Sequence, residues 1–170
     1  MDSLSGKRRL KDHPMTILKE AISQFRNFET YKESNINLFV WLIENPISPF
    51  SLTGVTDLYK YDFLHIILNR GMEIRDKALV IGFTMGNSEF TNGFIKWLYI
   101  FCARWLYPTA CRFSQVDVNE YNRGYSYGKT RRKRNIHLED FDINDDLSVI
   151  RKKFGINIID LKDYPNLSTF

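Results

Sequence analysis

The stretch Ala78-Leu79-Val80-Ile81-Gly82-Phe83-Thr84-Met85 decides the fold class. Read as a strand, it places a sheet inside the domain, with Gly82 weakening the strand or marking the close approach of another backbone. Residues 36–43 (INLFVWLI), between Asn35 and Pro46, suit a buried strand, although the pattern alone also fits a short buried helix. Cys111, Phe113, Val116 and Val118 give a strand whose alternation slips once, as at a bulge, and residues 156–161 give a last one.

Helical periodicity surrounds these segments. Asp12 and Pro14 start a helix carried by Met15, Leu18, Ile22, Phe25 and Phe28 to about Tyr31. Thr56 or Asp57 caps a second, through Leu58, Phe63, Leu64, Ile67 and Leu68 to Gly71. The clearest follows Asn87 and Ser88: Phe90, Phe94, Trp97, Leu98, Phe101 and Trp105 recur at helical steps, read as a core face, until Pro108. Asp145 or Asp146 caps a short helix through Leu147, Ile150 and Phe154 to Gly155. With no βαβ rhythm and no internal repeat, the expectation is α+β, a single compact domain with about four to five helices on a small mixed or antiparallel sheet. Its span is residues 12–170, behind a basic flexible arm at residues 1–11, and 170 residues suffice for one core but not for a two-domain enzyme.

Charge is unevenly distributed. The net +4 comes from 24 Lys and Arg against 20 Asp and Glu, yet ten of the basic residues lie in two places. Lys7, Arg8, Arg9 and Lys11 occupy the arm, and Arg123, Lys129, Arg131, Arg132, Lys133 and Arg134 share an acid-free stretch. Without those ten and Asp2, 14 basic residues stand against 19 acidic ones, so the body of the domain carries −5. Such blocks suit a polyanion or an import address. Cys102 and Cys111 have neither zinc-finger nor disulfide-framework spacing and read as reduced, mostly buried thiols. No apolar run follows the N-terminal charges, so the chain is expected in the cytoplasm or nucleus and not to be secreted. Lys96 and Arg104 interrupt residues 89–107, which therefore do not span a bilayer.

The catalytic patterns present are weak. Gly124-Tyr125-Ser126-Tyr127-Gly128 satisfies GxSxG, but VNEYNR before it and KTRRKR after it are neither the hydrophobic strand nor the helix of a nucleophile elbow. No acid lies between Ser126 and His137, the only later histidine, so the triad order fails as well. His137-Leu138-Glu139 lacks the PCxxC partner of zinc deaminases. Asp62 and His65 could share a helix face, but no third group orients the base, while Asp57, Asp62 and Glu73 with Lys77 outline a metal-nuclease-like set that the sequence leaves open. Neither GxGxxG nor GxxxxGK[ST] is present. No cofactor and no metal are expected, and the protein is read as a non-enzyme.

Residues 121–135 carry the most physical information. Read as a basic Tyr/Gly loop, they supply cations that displace counterions, rings on which unpaired bases stack, and glycines that follow a backbone closely. The expected function is thus a nucleic-acid-associated protein, RNA above all, or an assembly protein. Its contacts would be Lys7, Arg8, Arg9, Lys11, Arg123, Tyr125, Tyr127, Lys129, Arg131, Arg132, Lys133 and Arg134. Size and composition suit a matrix-like accessory or structural protein of an RNA virus. Arg131, Arg132, Lys133 and Arg134 also read as a signal for a nuclear import receptor. Glu139, Asp140, Asp142, Asp145 and Asp146 could mask this patch. A second class is a peripheral membrane or matrix-type assembly protein, in which the basic patches meet anionic lipid and the Trp97/Trp105 helix meets the interface or another subunit of a homo-oligomer. A third is a hydrolase or nuclease depending on Asp57, Asp62, His65 or Ser126.

Overall fold

A computed structural model describes residues 17–27, 58–132, 136, 142 and 144–163. Of these, 72% are helical and none lies in a strand, and an isolated antiparallel bridge joins Ile17 to Asp146. The expected α+β architecture is therefore corrected to an all-helical one over the described residues. The helices are α1 (Leu18–Asn27), α2 (Leu58–Ile67), α3 (Ile74–Asn87), α4 (Gly93–Trp105), α5 (Gln115–Thr130), α6 (Leu147–Phe154) and α7 (Ile158–Asp163). A single 3-10 turn, Thr109–Cys111, separates α4 from α5.

The expected strand at residues 78–85 is the middle of α3. Ala78, Leu79, Val80, Gly82, Phe83, Met85, Gly86 and Asn87 are all buried, and of the half-buried positions between them, Ile81 and Thr84, only Thr84 is polar, so this stretch carries no clear polar period. The expected strand through Cys111 and Val118 is the 3-10 turn followed by the start of α5, and residues 156–161 run into α7. Residues 36–43 and the arm at 1–11 lie outside the described residues.

The 121–135 loop is corrected too: through Thr130 it is the body of α5. A capping box starts this helix. The Ser114 hydroxyl accepts from the Asp117 N–H at 3.4 Å, and Asp117 Oδ2 accepts from the Ser114 N–H at 2.8 Å. Its glycines serve packing. A Cβ on Gly124 would lie 2.1 Å from the Leu79 carbonyl oxygen, and one on Gly128 would lie 2.2 Å from that of Phe83. Reciprocally, a Cβ on Gly82 or Gly86 would lie 2.1 Å from the carbonyl oxygen of Tyr121 or Tyr125. Two small-xxx-small stripes thus bring two backbones into direct contact.

Gly82 lies against Tyr121 and Gly86 against Tyr125, so α3 and α5 run parallel. The return is made by α4: Arg104 meets Gln115, Tyr99 meets Tyr121 and Lys96 meets Tyr125, an antiparallel order. The α3–α5 pair separates two apolar cores. Leu79, Val80, Phe83 and Tyr127 join α1, α2, α6 and α7 on one side, while Ala78, Met85, Tyr121 and Tyr125 join α4 on the other.

Local signals close the remaining helices. Asn69 ends α2 at φ 52, with the Arg70 N–H on the His65 carbonyl and the Asn69 N–H on that of Ile66, a Schellman closure one step past Leu68 and two before the expected Gly71. Asp146 caps α6 by accepting from the Ser148 N–H, and Gly155 ends it at φ 65, as expected from sequence. Arg151 of α6 then donates to the Ile66 and Ile67 carbonyls, satisfying the open end of α2.

Since backbone atoms cannot yield as a side-chain tip can, Gly82→Ala or Gly128→Ala is expected to cost about 3 kcal/mol, at the upper end of overpacking effects. That lowers the melting temperature by about 10 °C in a domain of this size. Gly93→Ala, where a Cβ meets nothing within 4 Å, is expected to stabilise by up to about 1 kcal/mol. Thermal unfolding of the three variants checks the contrast.

Candidate interaction surface

The sequence of α4, GFIKWLYIFCARW, is apolar around most of its circumference, so burying one face leaves another apolar face outside. Asn92 starts the helix by accepting from the Ile95 N–H at 3.0 Å. Tyr99 and Ala103 form the inner face. Tyr99 stacks on Tyr121 with 5.4 Å between ring centroids and meets Tyr107 and Phe113 edge-on.

The outer face is aromatic. Phe94, Trp97, Phe101 and Trp105 fall in one arc opposite Tyr99 and Ala103, at about 100° per residue, and Phe90 continues that line just before the helix. Trp97 and Trp105 are 58% and 63% exposed, and Phe90 and Phe94 more so. Ring stacking joins Phe94 to Trp97 at 6.2 Å and Trp97 to Phe101 at 5.6 Å, forming a continuous ridge. The expectation of a core face here is corrected: the positions have the right period and point outward. Residues 90–114 contain Lys96, Arg104 and Arg112 and no Asp or Glu. Arg104 donates to Gln115 Oε1 and Arg112 to the Tyr107 carbonyl, both at 2.8 Å, beside the C-terminal part of the ridge.

The sequence-derived nucleic-acid contacts are arranged differently from a flexible basic loop. Tyr125 and Tyr127 are buried in α5, on opposite sides of the helical wall, so neither ring is open to a base. The Tyr127 hydroxyl donates to the Asn157 carbonyl and accepts from the Asn157 N–H. Arg123 pairs with Glu120. Arg131 stacks on Tyr127, 4.5 Å from the ring centroid, and donates to the Gly155 carbonyl at 2.7 Å. Arg132 reaches the Gly86 and Thr91 carbonyls, each at 3.4 Å. Lys129 is exposed. Lys7, Arg8, Arg9, Lys11, Lys133 and Arg134 lie outside the described residues, as do Glu139 and Asp140. Asp142 accepts from Asn144, and Asp146 is used as the α6 cap, its carboxyl held below the ordinary aspartate value by the Ser148 hydrogen bonds. Neither meets the basic segment among the described residues.

The catalytic candidates are dispersed. Ser126 sits within α5, away from any strand-to-helix elbow. Asp57 and the side chain of Asp62 lie outside the described residues, and Glu73 is exposed at the start of α3. Among the described residues no three His, Cys, Asp or Glu side chains group as metal ligands. Cys102 is half-buried, which raises its thiol pKa, and Cys111 is exposed, contrary to the expectation of burial. His65 is fully buried at the end of α2. Its Nδ1 faces the Gly71 carbonyl at 2.7 Å and so carries the proton. Burial above all, with the Lys77 charge, lowers its pKa to about 4 against the pull of that hydrogen bond.

No family model, curated protein or solved structure was found to match this chain.

His65 gives the fold a pH dependence of definite sign. Unfolded, it takes up a proton near its ordinary 6.5, whereas folded it stays neutral down to about 4. Its contribution is therefore intact above 6.5 and lost as the pH falls through that window, by at most about 3 kcal/mol. Urea unfolding between pH 7 and 4 should show this loss, and His65→Gln should flatten it.

Proposed function

We propose that the protein is a peripheral membrane-surface protein that docks on anionic bilayers through the α4 ridge. The observation that carries the reading is an exposed stripe of Phe90, Phe94, Trp97, Phe101 and Trp105, stacked from Phe94 to Phe101, in a stretch whose charges are all positive. Exposed apolar patches of this extent are uncommon on monomers and mark interaction surfaces. Tryptophan and phenylalanine favour the headgroup boundary, and lysine and arginine beside them favour acidic lipid. No helix among the described residues is long and apolar enough to cross a membrane. The docking is thus lateral, with α4 lying along the surface on the rigid support of α3 and α5.

Magnitudes favour such docking. Full burial of a large apolar side chain is worth about 1.5–3 kcal/mol, so a half-exposed one entering the interface contributes roughly 1 kcal/mol. Five of them, with about 1 kcal/mol for each nearby cation, suffice for reversible binding. The nucleic-acid reading has less support, because Tyr125 and Tyr127 are inside and Arg131 and Arg132 are engaged with backbone carbonyls.

Flotation with phosphatidylcholine vesicles containing phosphatidylglycerol tests the proposal. Trp97→Ser/Trp105→Ser is expected to lower bound protein at least about tenfold, with an unchanged melting temperature. Binding that survives the double substitution overturns the reading. So does a lipid-free dimer that the same substitutions split into monomers in sedimentation, which would give the ridge to a second copy of the chain. Shielding of Trp97 and Trp105 from acrylamide in a Trp41→Phe background would give it to another part of this chain, with the same consequence.

A further inference from the structure

Among the described residues, the seam between α4 and α5 gathers cations. Lys96 Nζ lies 4.7 Å from the centroid of the Tyr125 ring. Lys129 stands one turn after Tyr125 on the same side of α5, and the Arg132 guanidinium bonds the Thr91 carbonyl just ahead of α4. Glu120, the nearest acid on α5, is engaged by Arg123, and Glu89 is exposed on the link before α4. Among the described residues neither Lys96 nor Lys129 makes an ion pair. Two ammonium groups thus face one another's repulsion on the flank of α4 that meets α5, about 100° round the helix from Trp97.

We infer that Lys96 and Lys129 form a phosphate site for an anionic phospholipid headgroup, held at the α4–α5 seam while the aromatic ridge enters the same leaflet. This inference rests on the membrane-surface reading and assigns its charge selectivity to one place. The chemistry is that of a phosphodiester: its oxygens accept from the two ammonium groups. Burial and the Lys129 charge lower the pKa of Lys96 from the ordinary lysine value, and a bound anion would reverse that pressure. The Tyr125 ring beneath Lys96 holds the ammonium at the seam by a cation–π contact. Phosphatidylcholine offers the same phosphate already compensated by its choline. Phosphatidylglycerol does not, so the site discriminates between the two.

Vesicle flotation separates this inference from the reading beneath it. On phosphatidylcholine with phosphatidylglycerol, Lys96→Gln/Lys129→Gln is expected to lose binding by roughly fivefold per charge removed, while its weaker, ridge-dependent binding to pure phosphatidylcholine persists. Lys129→Gln alone, at an exposed position that leaves the fold intact, should show half of that effect on a logarithmic scale. Lys152→Gln/Lys153→Gln on α6 removes equal charge elsewhere and should retain most of the binding. Equal losses from the two double variants would mean a diffuse field and overturn the site, as would an undiminished preference for phosphatidylglycerol in Lys96→Gln/Lys129→Gln. Soluble glycerol phosphate that displaces the protein from vesicles would assign the seam to a free phosphate ester and overturn the lipid assignment. Failure of the ridge itself reads out separately, as vesicle binding indifferent to Trp97→Ser/Trp105→Ser.

Discussion

Direct contact between the backbones of α3 and α5, allowed by Gly82, Gly86, Gly124 and Gly128, is the constraint on which the described structure depends. Two helices this close leave no room for side chains at the contact. The large groups must therefore flank it, with Phe83 and Tyr127 on one side and Met85, Tyr121 and Tyr125 on the other. Tyr121 donates its hydroxyl to Met85 Sδ at 3.0 Å, so a fully buried phenol is satisfied across the same contact, and burial raises its pKa well above the ordinary value. Because the pair is parallel, the chain must return along α4. The wall then takes Tyr99 and Ala103 from that helix and leaves its opposite side uncovered.

Several ends of elements were legible in the sequence because their causes are local. Asp146 and Gly155 bracket α6 by a side-chain cap and a left-handed closure, and Pro108 stops α4 by steric exclusion. The fold class was not legible from residues 78–85, because the partly exposed face of this stretch is marked only by Ile81 and Thr84 and so carries no clear polar period. Gly82 did mark the close approach of another backbone, which was one of its two expected meanings. The partner signal was present as well: Gly82 and Gly86 repeat at the spacing of Gly124 and Gly128. Among tyrosines and arginines those later glycines resemble a flexible loop, and only the packing partner distinguishes the two meanings.

The ridge shows a different limit of pattern reading. Phe94, Trp97, Phe101 and Trp105 have the period of a core face, and the period fixes which residues lie together but not which way they point. Tyr99 and Ala103 hold the inner side because Tyr121 offers a stacking surface there. Arginines first read as polyanion contacts have local work in the structure: Arg131 covers Tyr127, and Arg132 joins the end of α5 to the link before α4. Of the described tyrosines and cations first read as contacts, Lys129 is left exposed, across the α4–α5 seam from Lys96.

Ridge insertion into a bilayer is read most directly by tryptophan fluorescence in a Trp41→Phe background, with phosphatidylglycerol-containing vesicles brominated along their acyl chains. Docking through α4 predicts that Trp97 and Trp105 shift to shorter emission wavelength on mixing and are quenched by bromines placed near the headgroup more than by those near the bilayer centre. Emission that stays at its free-protein wavelength and intensity, with the protein bound to the same vesicles, would contradict it.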